Sequence, residues 1–297
     1  MKIGGFIVQE PVPTLNEPHA ISILHPWIDA GGAGTLTLTR LEERFGAKEL
    51  ARLERPGNFF DFTRYRPVTK VVGGDRELTI PNTVINYAIR DGYPDILFCH
   101  LLEPHAMAED YIASIIELFK HFGVKRNCRV GAMWNAVPHT RPLMLTGVLE
   151  EEARERIGHL VTQRQSTYEG PTSIMGLLNQ EQDRLNIASM SLMTHLPQYL
   201  QLDEDFTGAA RLLEAVGVLY GMPLDFPEAE MGERQYRQVN DEMDNNHMAK
   251  DLVTRLERQY DSRDADGEGA ESSEPEPPPL APDIQKFLRD LGRRLDD

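Results

Sequence analysis

A short loop over residues 138–142 carries the clearest chemical signal in the sequence, because two prolines flank a histidine, a threonine and an arginine. The prolines restrict the backbone on both sides of His139 and Arg141. A stiff loop that presents an imidazole and a guanidinium could bind an anion or donate a proton. We predict a structural role first, with Arg141 paired to a carboxylate such as Asp29 or Glu103, because an unpaired, partly buried guanidinium is costly. An anion site is the alternative.

Other polar and glycine-rich residues also follow predicted strands. Ligands of open α/β sheets bind beyond the carboxyl ends of the parallel strands, so we expect these residues to share one edge of the sheet. We call this set the rim: Asp29, Gly31, Glu103, His139, Arg141, Tyr168, His195 and Tyr199. The rim is a candidate surface for a ligand or for a partner.

The rim residues lack the neighbours that catalysis or metal binding requires. The glycines around Gly31 have no P-loop lysine beside them, so tight strand-to-helix packing is the preferred interpretation and an anion cradle is the alternative. Glu103 lies between two histidines, but Pro104 interrupts the helix that a zinc site would need. The two cysteines show no recognisable nucleophile motif. We therefore predict no catalytic residue, no metal and no cofactor.

Short apolar runs alternate with helical patterns over the first 227 residues. The predicted strands are residues 20–24, 68–72, 95–99, 129–133, 143–148 and 188–192. Helical periodicity predicts helices over residues 112–122, 209–219 and 248–260, and from Thr172 with Ile174, Leu177 and Leu178 facing inward. Strands that alternate with helices predict an α/β fold with a mostly parallel sheet covered on both faces.

The last quarter of the chain differs in composition from the rest. Residues 261–282 contain seven acidic residues, one basic residue and five prolines, and they cannot bury enough apolar area to offset the entropy of ordering them. Helical periodicity resumes at Ile284, Phe287, Leu288, Leu291 and Leu295. We therefore predict an α/β core domain over 1–227, a helical extension over 228–260, a disordered linker over 261–282 and a tethered amphipathic helix over 283–297. The tethered helix is expected to dock on its own body or on a partner.

Charge and composition exclude several classes of protein. The formal net charge is −16, which repels phosphate backbones and excludes a nucleic-acid partner. The longest apolar runs are shorter than the roughly 18 residues of a membrane helix, and no cationic stretch precedes an apolar one at the N-terminus. The two cysteines, Cys99 and Cys128, form no framework and fit a reducing compartment. These features predict a cytoplasmic protein that does not bind membranes.

A series of motifs resembles the proteasome assembly chaperone family, specifically its bacterial branch. The motifs are WIDAG at 27–31, FFDFTRYRP at 59–67, Glu103 with Pro104, Gly123 with Val124, the segment 131–142 ending in VPHTRP, YEGPTS at 168–173, HLPQY at 195–199 and IQKFLR at 284–289. The resemblance covers residues 1–260 and the C-terminal tail.

This resemblance implies a three-layer α/β/α fold with a mixed, mostly parallel sheet, similar to that of purine nucleoside phosphorylases. It implies homo-oligomers in bacterial members, specifically trimers. Eukaryotic and archaeal relatives bind proteasome α subunits as chaperones without catalysis. Members of the group are sometimes labelled as ATP-grasp proteins, but no nucleotide-binding pattern in this sequence supports that label.

The chain departs from the family pattern at three places. Gln198 stands where the family has a histidine between proline and tyrosine, so no imidazole is available there. Glu204, Asp205 and Phe206 stand where the family has an asparagine-proline pair before the next helix. Some archaeal members end in a hydrophobic–tyrosine–any tripeptide that docks into the proteasome, but an acid, Asp296, occupies the tyrosine position here. Docking by that route is not expected.

Two kinds of function follow from these observations. We predict a non-catalytic, cytoplasmic protein-binding or assembly-chaperone-like protein, which forms a homo-oligomer and has another protein as a further partner. The alternatives are a nucleoside phosphorylase- or hydrolase-like enzyme and a small-molecule sensor, both of which would use the rim around Arg141. The two kinds differ in whether the rim side chains converge on an open pocket.

Overall fold

The computed structural model describes residues 1–163, 170, 172–244 and 246–265 of the chain. Three sequence predictions therefore lie outside the described residues. They concern the rim residue Tyr168, residues 266–282 of the predicted linker, and the amphipathic helix over 283–297.

Twelve strands and seven helices are present in the described part of the chain. The strands are β1 (Lys2–Ile3), β2 (Phe6–Val8), β3 (His19–His25), β4 (Lys48–Leu53), β5 (Val68–Val72), β6 (Asp75–Thr79), β7 (Val84–Ala88), β8 (Ile96–Leu102), β9 (Arg126–Asn135), β10 (Leu145–Val148), β11 (Thr162–Gln163) and β12 (Ala188–Pro197). The helices are α1 (Ala33–Phe45), α2 (Ala108–Phe122), α3 (Glu151–Ile157), α4 (Met175–Arg184), α5 (Phe206–Tyr220), α6 (Glu228–Asp244) and α7 (His247–Ala265).

Ten of these strands form one mixed sheet in the order β1-β2-β4-β7-β8-β3-β9-β12-β10-β11. The four central strands, β8, β3, β9 and β12, are parallel to one another. The strands β7, β4, β2 and β1 extend the sheet on one side in antiparallel pairs, and β10 is antiparallel to β12 on the other side. The predicted α/β fold with a mostly parallel core is confirmed.

Helices cover both faces of the sheet and make the predicted three layers. On one face, which we call the α5 face, α1, α3 and α5 pack on the central strands, and α6 and α7 pack beyond α5. On the other face, the α2 face, α2 and α4 cover the sheet. Central strands such as β3 are buried on both sides, with residues 20–24 all buried, which explains their continuous apolar runs.

Several predicted elements differ from the structure in position or surroundings. The strand predicted over 68–72 is present as β5, but it pairs with β6 in a separate two-stranded ribbon rather than in the main sheet. The helix predicted from Thr172 begins at Met175, and Leu177 is 49% exposed instead of facing inward. His195, predicted to follow a strand, lies inside β12.

The C-terminal helices extend further than predicted. Helix α7 continues to Ala265, so the first five residues of the predicted linker are helical. The apolar residues Leu252, Val253 and Leu256 of α7 pack into the core cluster of the α5 face, and this burial stabilises the helix. No helix within the described residues has the length and apolar character needed to cross a bilayer.

Candidate functional site

The carboxyl ends of the four parallel strands meet at one edge of the sheet, as expected, and most rim residues lie there. The structure nevertheless divides the rim between the two faces. Asp29, Gly31, His139, Arg141 and Tyr199 lie on the α5 face, near α1 and beneath α6 and α7. Glu103 and His195 lie on the α2 face. The seven rim residues that the structure describes therefore do not converge on one pocket.

His139 is buried and both of its ring nitrogens have partners. Its Nε2 lies 2.9 Å from Oδ1 of Asn240 on α6, and its Nδ1 lies 2.5 Å from the hydroxyl of Tyr199. The backbone N–H of His139 donates to the same hydroxyl at 2.9 Å. Because the Asn240 oxygen can only accept, Nε2 carries the proton and Nδ1 accepts from Tyr199. Burial lowers the pKa of His139 to about 4, so the ring is neutral near pH 7.

The arginine of the same loop is paired with α7. Nη1 of Arg141 lies 3.0 Å from Oε1 of Glu257, and Nε and Nη2 donate to the two carboxylate oxygens of Asp261. Thr140 donates to Glu257 as well, at 2.6 Å. The prediction that Arg141 pairs with a carboxylate holds, but naming Asp29 or Glu103 as that carboxylate was wrong. The acids of α7, one helical turn apart on one face, supply it.

Asp29 organises the start of α1. One of its oxygens accepts hydrogen bonds from the backbone N–H groups of Gly34 and Thr35, and the other accepts from the Thr35 hydroxyl at 2.6 Å and contacts Nδ1 of His25. Burial acts to raise the pKa of Asp29, but the hydrogen bonds from His25 and Thr35 outweigh it and hold the pKa below its usual value. The carboxylate therefore satisfies backbone donors at a helix N-terminus, where a negative charge is favourable.

Gly31 allows the chain to approach α5 closely. Its φ is +54°, and a Cβ at this position would lie 2.8 Å from the Cβ of Asp205. The carbonyl of Gly31 accepts from the backbone N–H of Asp205 at 2.7 Å. The preferred interpretation of the glycines, tight packing, agrees with this geometry.

Asp205 is the residue of this region that sequence reasoning missed as part of the site. It is fully buried, it caps α5 by accepting from the N–H of Gly208 at 2.8 Å, and its other oxygen accepts from the Tyr236 hydroxyl at 2.9 Å. Burial raises the pKa of Asp205 to about 6. An aspartate directly before a helical stripe is a recognisable N-cap signal, but the contact with Tyr236 on α6 joins residues far apart in the sequence.

His195 belongs to the core of the α2 face. It is 3% exposed, its Nδ1 lies 2.9 Å from Nδ2 of Asn135, and its Nε2 lies 2.8 Å from the Thr146 hydroxyl. The amide of Asn135 donates to Nδ1, so Nε2 carries the proton toward Thr146. The imidazole thus links three neighbouring strands, β9, β12 and β10.

Glu103 positions the start of α4. Its Oε1 accepts from the backbone N–H of Ile174 at 3.1 Å, and burial raises the pKa of its carboxyl group. Its Oε2 is buried and has no partner among the described residues. Within the described ranges, no group of three histidine, cysteine, aspartate or glutamate side chains is arranged to hold a metal ion.

These features define an α/β protein with a central parallel sheet, whose C-terminal helices cover one side of the sheet's carboxyl edge. The PAC2 family model matches residues 23–243, and the chain belongs to the PAC2 family. No curated protein matches the chain.

Solved structures share the fold. A Corynebacterium glutamicum protein of unknown function is 20% identical with a TM-score of 0.78, covering 88% of this chain and 98% of that one. A Mycobacterium tuberculosis protein of unknown function is 22% identical with a TM-score of 0.77, covering 98% of both chains. A proteasome-assembly chaperone homologue from Mycobacterium tuberculosis is 21% identical with a TM-score of 0.68, covering 79% of this chain and 99% of that one. The resemblance to the proteasome assembly chaperone family is confirmed.

Proposed function

We propose that this chain is a chaperone-like protein that binds another protein in the cytoplasm, forms a homo-oligomer and performs no catalysis. The family and the proteasome-assembly chaperone homologue among its structural neighbours support the chaperone-like role. The observation that carries the proposal further is the ribbon formed by β5 and β6, whose apolar side chains are exposed.

All ten residues of the ribbon are exposed. The pairing register places Val68 and Val72 on one face of the ribbon and Val71 with Leu78 on the other. The exposure of these four side chains ranges from 52% to 69%. An isolated two-stranded ribbon is marginally stable in water, and exposed apolar patches mark interaction sites. Apolar side chains on both faces therefore favour a partner that packs against the ribbon.

The rim residues on the α5 face are occupied by contacts within the chain, which supports the absence of catalysis. His139 has hydrogen bonds at both ring nitrogens, and Arg141 pairs with two carboxylates of α7. A phosphorylase would need a cation free to bind phosphate and an open cleft for the nucleoside. On the α5 face these side chains instead hold the C-terminal helices on the sheet edge.

The double variant Val71→Asp/Leu78→Asp tests the proposal, with Ile89→Asp as a matched control because Ile89 is 62% exposed and lies outside the ribbon. Size-exclusion chromatography with light scattering gives the mass of each variant alone and after mixing with proteasome α subunits of the same organism. We expect the wild type and the control to run as trimers, about three times the 33.6 kDa chain, and to bind the α subunits.

The ribbon variant should lose one or both associations while its circular dichroism spectrum stays that of the wild type. A wild-type mass of 33.6 kDa together with no binding to the α subunits would overturn the proposal. Equal association by the ribbon variant and the control would remove the ribbon as the binding surface.

A further inference from the structure

A strip of polar side chains crosses the α2 face of the sheet at its centre. Arg129 of β9 lies in register between Ser22 of β3 and Ser191 of β12. Its neighbours along the strand, Cys128 and Val130, belong to the core cluster of the α5 face. Because side chains alternate along a strand, Arg129 points to the opposite, α2 face. A guanidinium therefore stands where a sheet face normally carries apolar residues.

Arg129 forms no ion pair with any residue that the structure describes. Its side chain makes no hydrogen bond to the described residues, no carboxylate among them lies within the 4.0 Å of an ion pair, and its Nε is completely buried. Burial lowers the pKa of Arg129, and Asp183 of α4 offsets this from a distance. By contrast Arg126, three residues earlier on the same strand, pairs with Glu150 and Glu152. A mostly buried and unpaired charge is unfavourable unless something binds it.

Further hydrogen-bond donors without partners lie on the same side. Nδ2 of Asn127, two residues before Arg129, is buried and has no acceptor among the described residues. Gln182 of α4 is 0% exposed, and neither its amide nitrogen nor its amide oxygen has a partner there. The hydroxyl of Ser191 accepts from the N–H of Val148 at 3.3 Å and keeps its proton for another acceptor. Asn127 and Ser191 thus add hydrogen-bond donors without acceptors to the face that carries Arg129.

We propose that Arg129, together with the Ser191 hydroxyl, binds the carboxylate or phosphate group of a small anionic ligand on the α2 face. A planar guanidinium donates two parallel hydrogen bonds to either group, and a neighbouring hydroxyl adds a third. This site lies across the sheet from Arg141 and is separate from the closed rim cluster. It adds a small-molecule function to the protein-binding function proposed above and does not depend on it.

The net charge of −16 shapes the specificity of this site. At long range the chain repels anions, so only a ligand that contacts Arg129 directly gains from its charge. Binding should therefore depend on this one arginine and not on surface lysines and arginines at large. Loss of binding on removal of this one arginine would distinguish a specific site from general electrostatic attraction to the protein surface.

The test compares the wild type with Arg129→Gln, and uses Arg184→Gln as a control because Arg184 on α4 is 64% exposed and pairs only with Glu181 among the described residues. Thermal unfolding and titration calorimetry are run with inorganic phosphate in one arm and succinate in the other. We expect at least one probe to raise the Tm of the wild type and of the control. In Arg129→Gln the same probe should bind at least tenfold more weakly.

The unfolding temperature of Arg129→Gln in the absence of ligand provides a second measurement. Without ligand, Arg129→Gln should unfold at the same or a higher temperature than the wild type, because it removes an unpaired buried charge; a structural ion pair would give the opposite sign. The conservative variant Arg129→Lys keeps the charge without the planar fork and should retain weakened binding. The proposal is overturned if neither probe binds the wild type, or if Arg129→Gln binds as tightly as the control. Binding in one arm alone identifies the carboxylate or the phosphate as the recognised group.

Discussion

Arg141 donates two parallel hydrogen bonds to Asp261. The distance from Nε to Oδ1 is 2.8 Å, and the distance from Nη2 to Oδ2 is 2.9 Å. The two residues are 120 positions apart, one in the loop after β9 and the other in the last turns of α7. A planar guanidinium facing a carboxylate in this way fixes orientation as well as distance. The pair therefore anchors the end of α7 to the loop that the sequence singled out as its clearest chemical signal.

Removing this anchor should loosen α7 without unfolding the domain. We predict that Arg141→Ala increases proteolytic cleavage within residues 247–265 severalfold, while the Tm of the whole chain changes little. The pair is solvent-exposed and screened by salt, so it contributes weakly to global stability, and Leu252 and Leu256 still pack on the core. Limited proteolysis followed by mass spectrometry measures the cleavage.

Arg258→Ala is the matched control, since this arginine lies on the outer surface of α7, where it lines a shallow depression with Met248. Its cleavage rate should equal that of the wild type. Equal rates in Arg141→Ala and the wild type would show that the ion pair does not hold the helix.

The sequence predicted the central strands and the amphipathic helices α2, α5 and α7, because their signals are local, but it did not predict α1. Strand β3 and helices α2 and α5 are recognisable from apolar runs and from 3.6-residue periodicity. The strands β4 and β7 were missed. They extend the sheet in antiparallel pairs, and their short, mixed sequences show neither a continuous apolar run nor strict alternation.

The candidate site was predictable only in part. The order of the loops placed most rim residues at one sheet edge, but spacing along a chain does not show which face of the sheet a side chain occupies. The partners of Arg141 and of Asp205 lie on α7 and α6, which pack from far along the chain. From the sequence these helices were predicted only as a helical extension. Their contacts with the rim residues of the α5 face depend on tertiary packing, which the sequence pattern does not show.

The buried carboxyl of Asp205 should make stability depend on pH. Its pKa is about 6 in the folded chain and 3.8 for an unperturbed aspartate, so the folded state binds more protons between these values and stability falls as the pH rises through this window. An asparagine side chain at this position would keep the acceptor for Gly208 without the charge. We predict that Asp205→Asn is more stable than the wild type by about 1 to 3 kcal/mol at pH 7, from a shift of roughly two pKa units, and that the gain shrinks toward pH 4. Urea denaturation at several pH values measures it.

The effect of His139 on the pH dependence of stability is opposite to that of Asp205 in the same pH range. Its pKa is about 4 when folded against 6.5 when unperturbed, so the unfolded state binds more protons and stability falls as the pH drops from 6.5 to 4. Stability of Asp205→Asn should therefore decline more steeply with acid than that of the wild type. Glu204→Gln, an exposed neighbour, is the control and should follow the wild type. A constant difference between Asp205→Asn and the wild type from pH 4 to pH 7 would contradict the buried charge.

The close approach at Gly31 should make alanine costly there. Gly46 at the end of α1 has nearly the same φ, +58°, but nothing lies within 4 Å of a Cβ built on it. Gly46→Ala therefore measures the penalty of the left-handed backbone alone, about 1 kcal/mol. We predict about 3 kcal/mol for Gly31→Ala, because its Cβ would also collide with Asp205. Equal losses in denaturation experiments would mean that the contact relaxes without strain.

We predict no phosphorolysis or hydrolysis of nucleosides by the purified protein. The candidate acid, His139, is neutral near pH 7, and its proton on Nε2 is already donated to Asn240. The candidate phosphate ligand, Arg141, is paired with Glu257 and Asp261. For either group to act, the partner on α6 would have to release His139 and the partners on α7 would have to release Arg141, which makes the reaction unfavourable from the start.

A panel of nucleosides with and without phosphate, assayed by chromatography of the released base, tests this prediction. The wild type is compared with His139→Gln and Arg141→Ala, each shown to be folded by circular dichroism. Release of base by the wild type that disappears in both variants would overturn the non-catalytic proposal and restore the enzyme alternative. Activity that persists in both variants would come from a contaminant or from another part of the chain, because His139 and Arg141 are the acid and the anion ligand that this edge of the sheet offers on its α5 face.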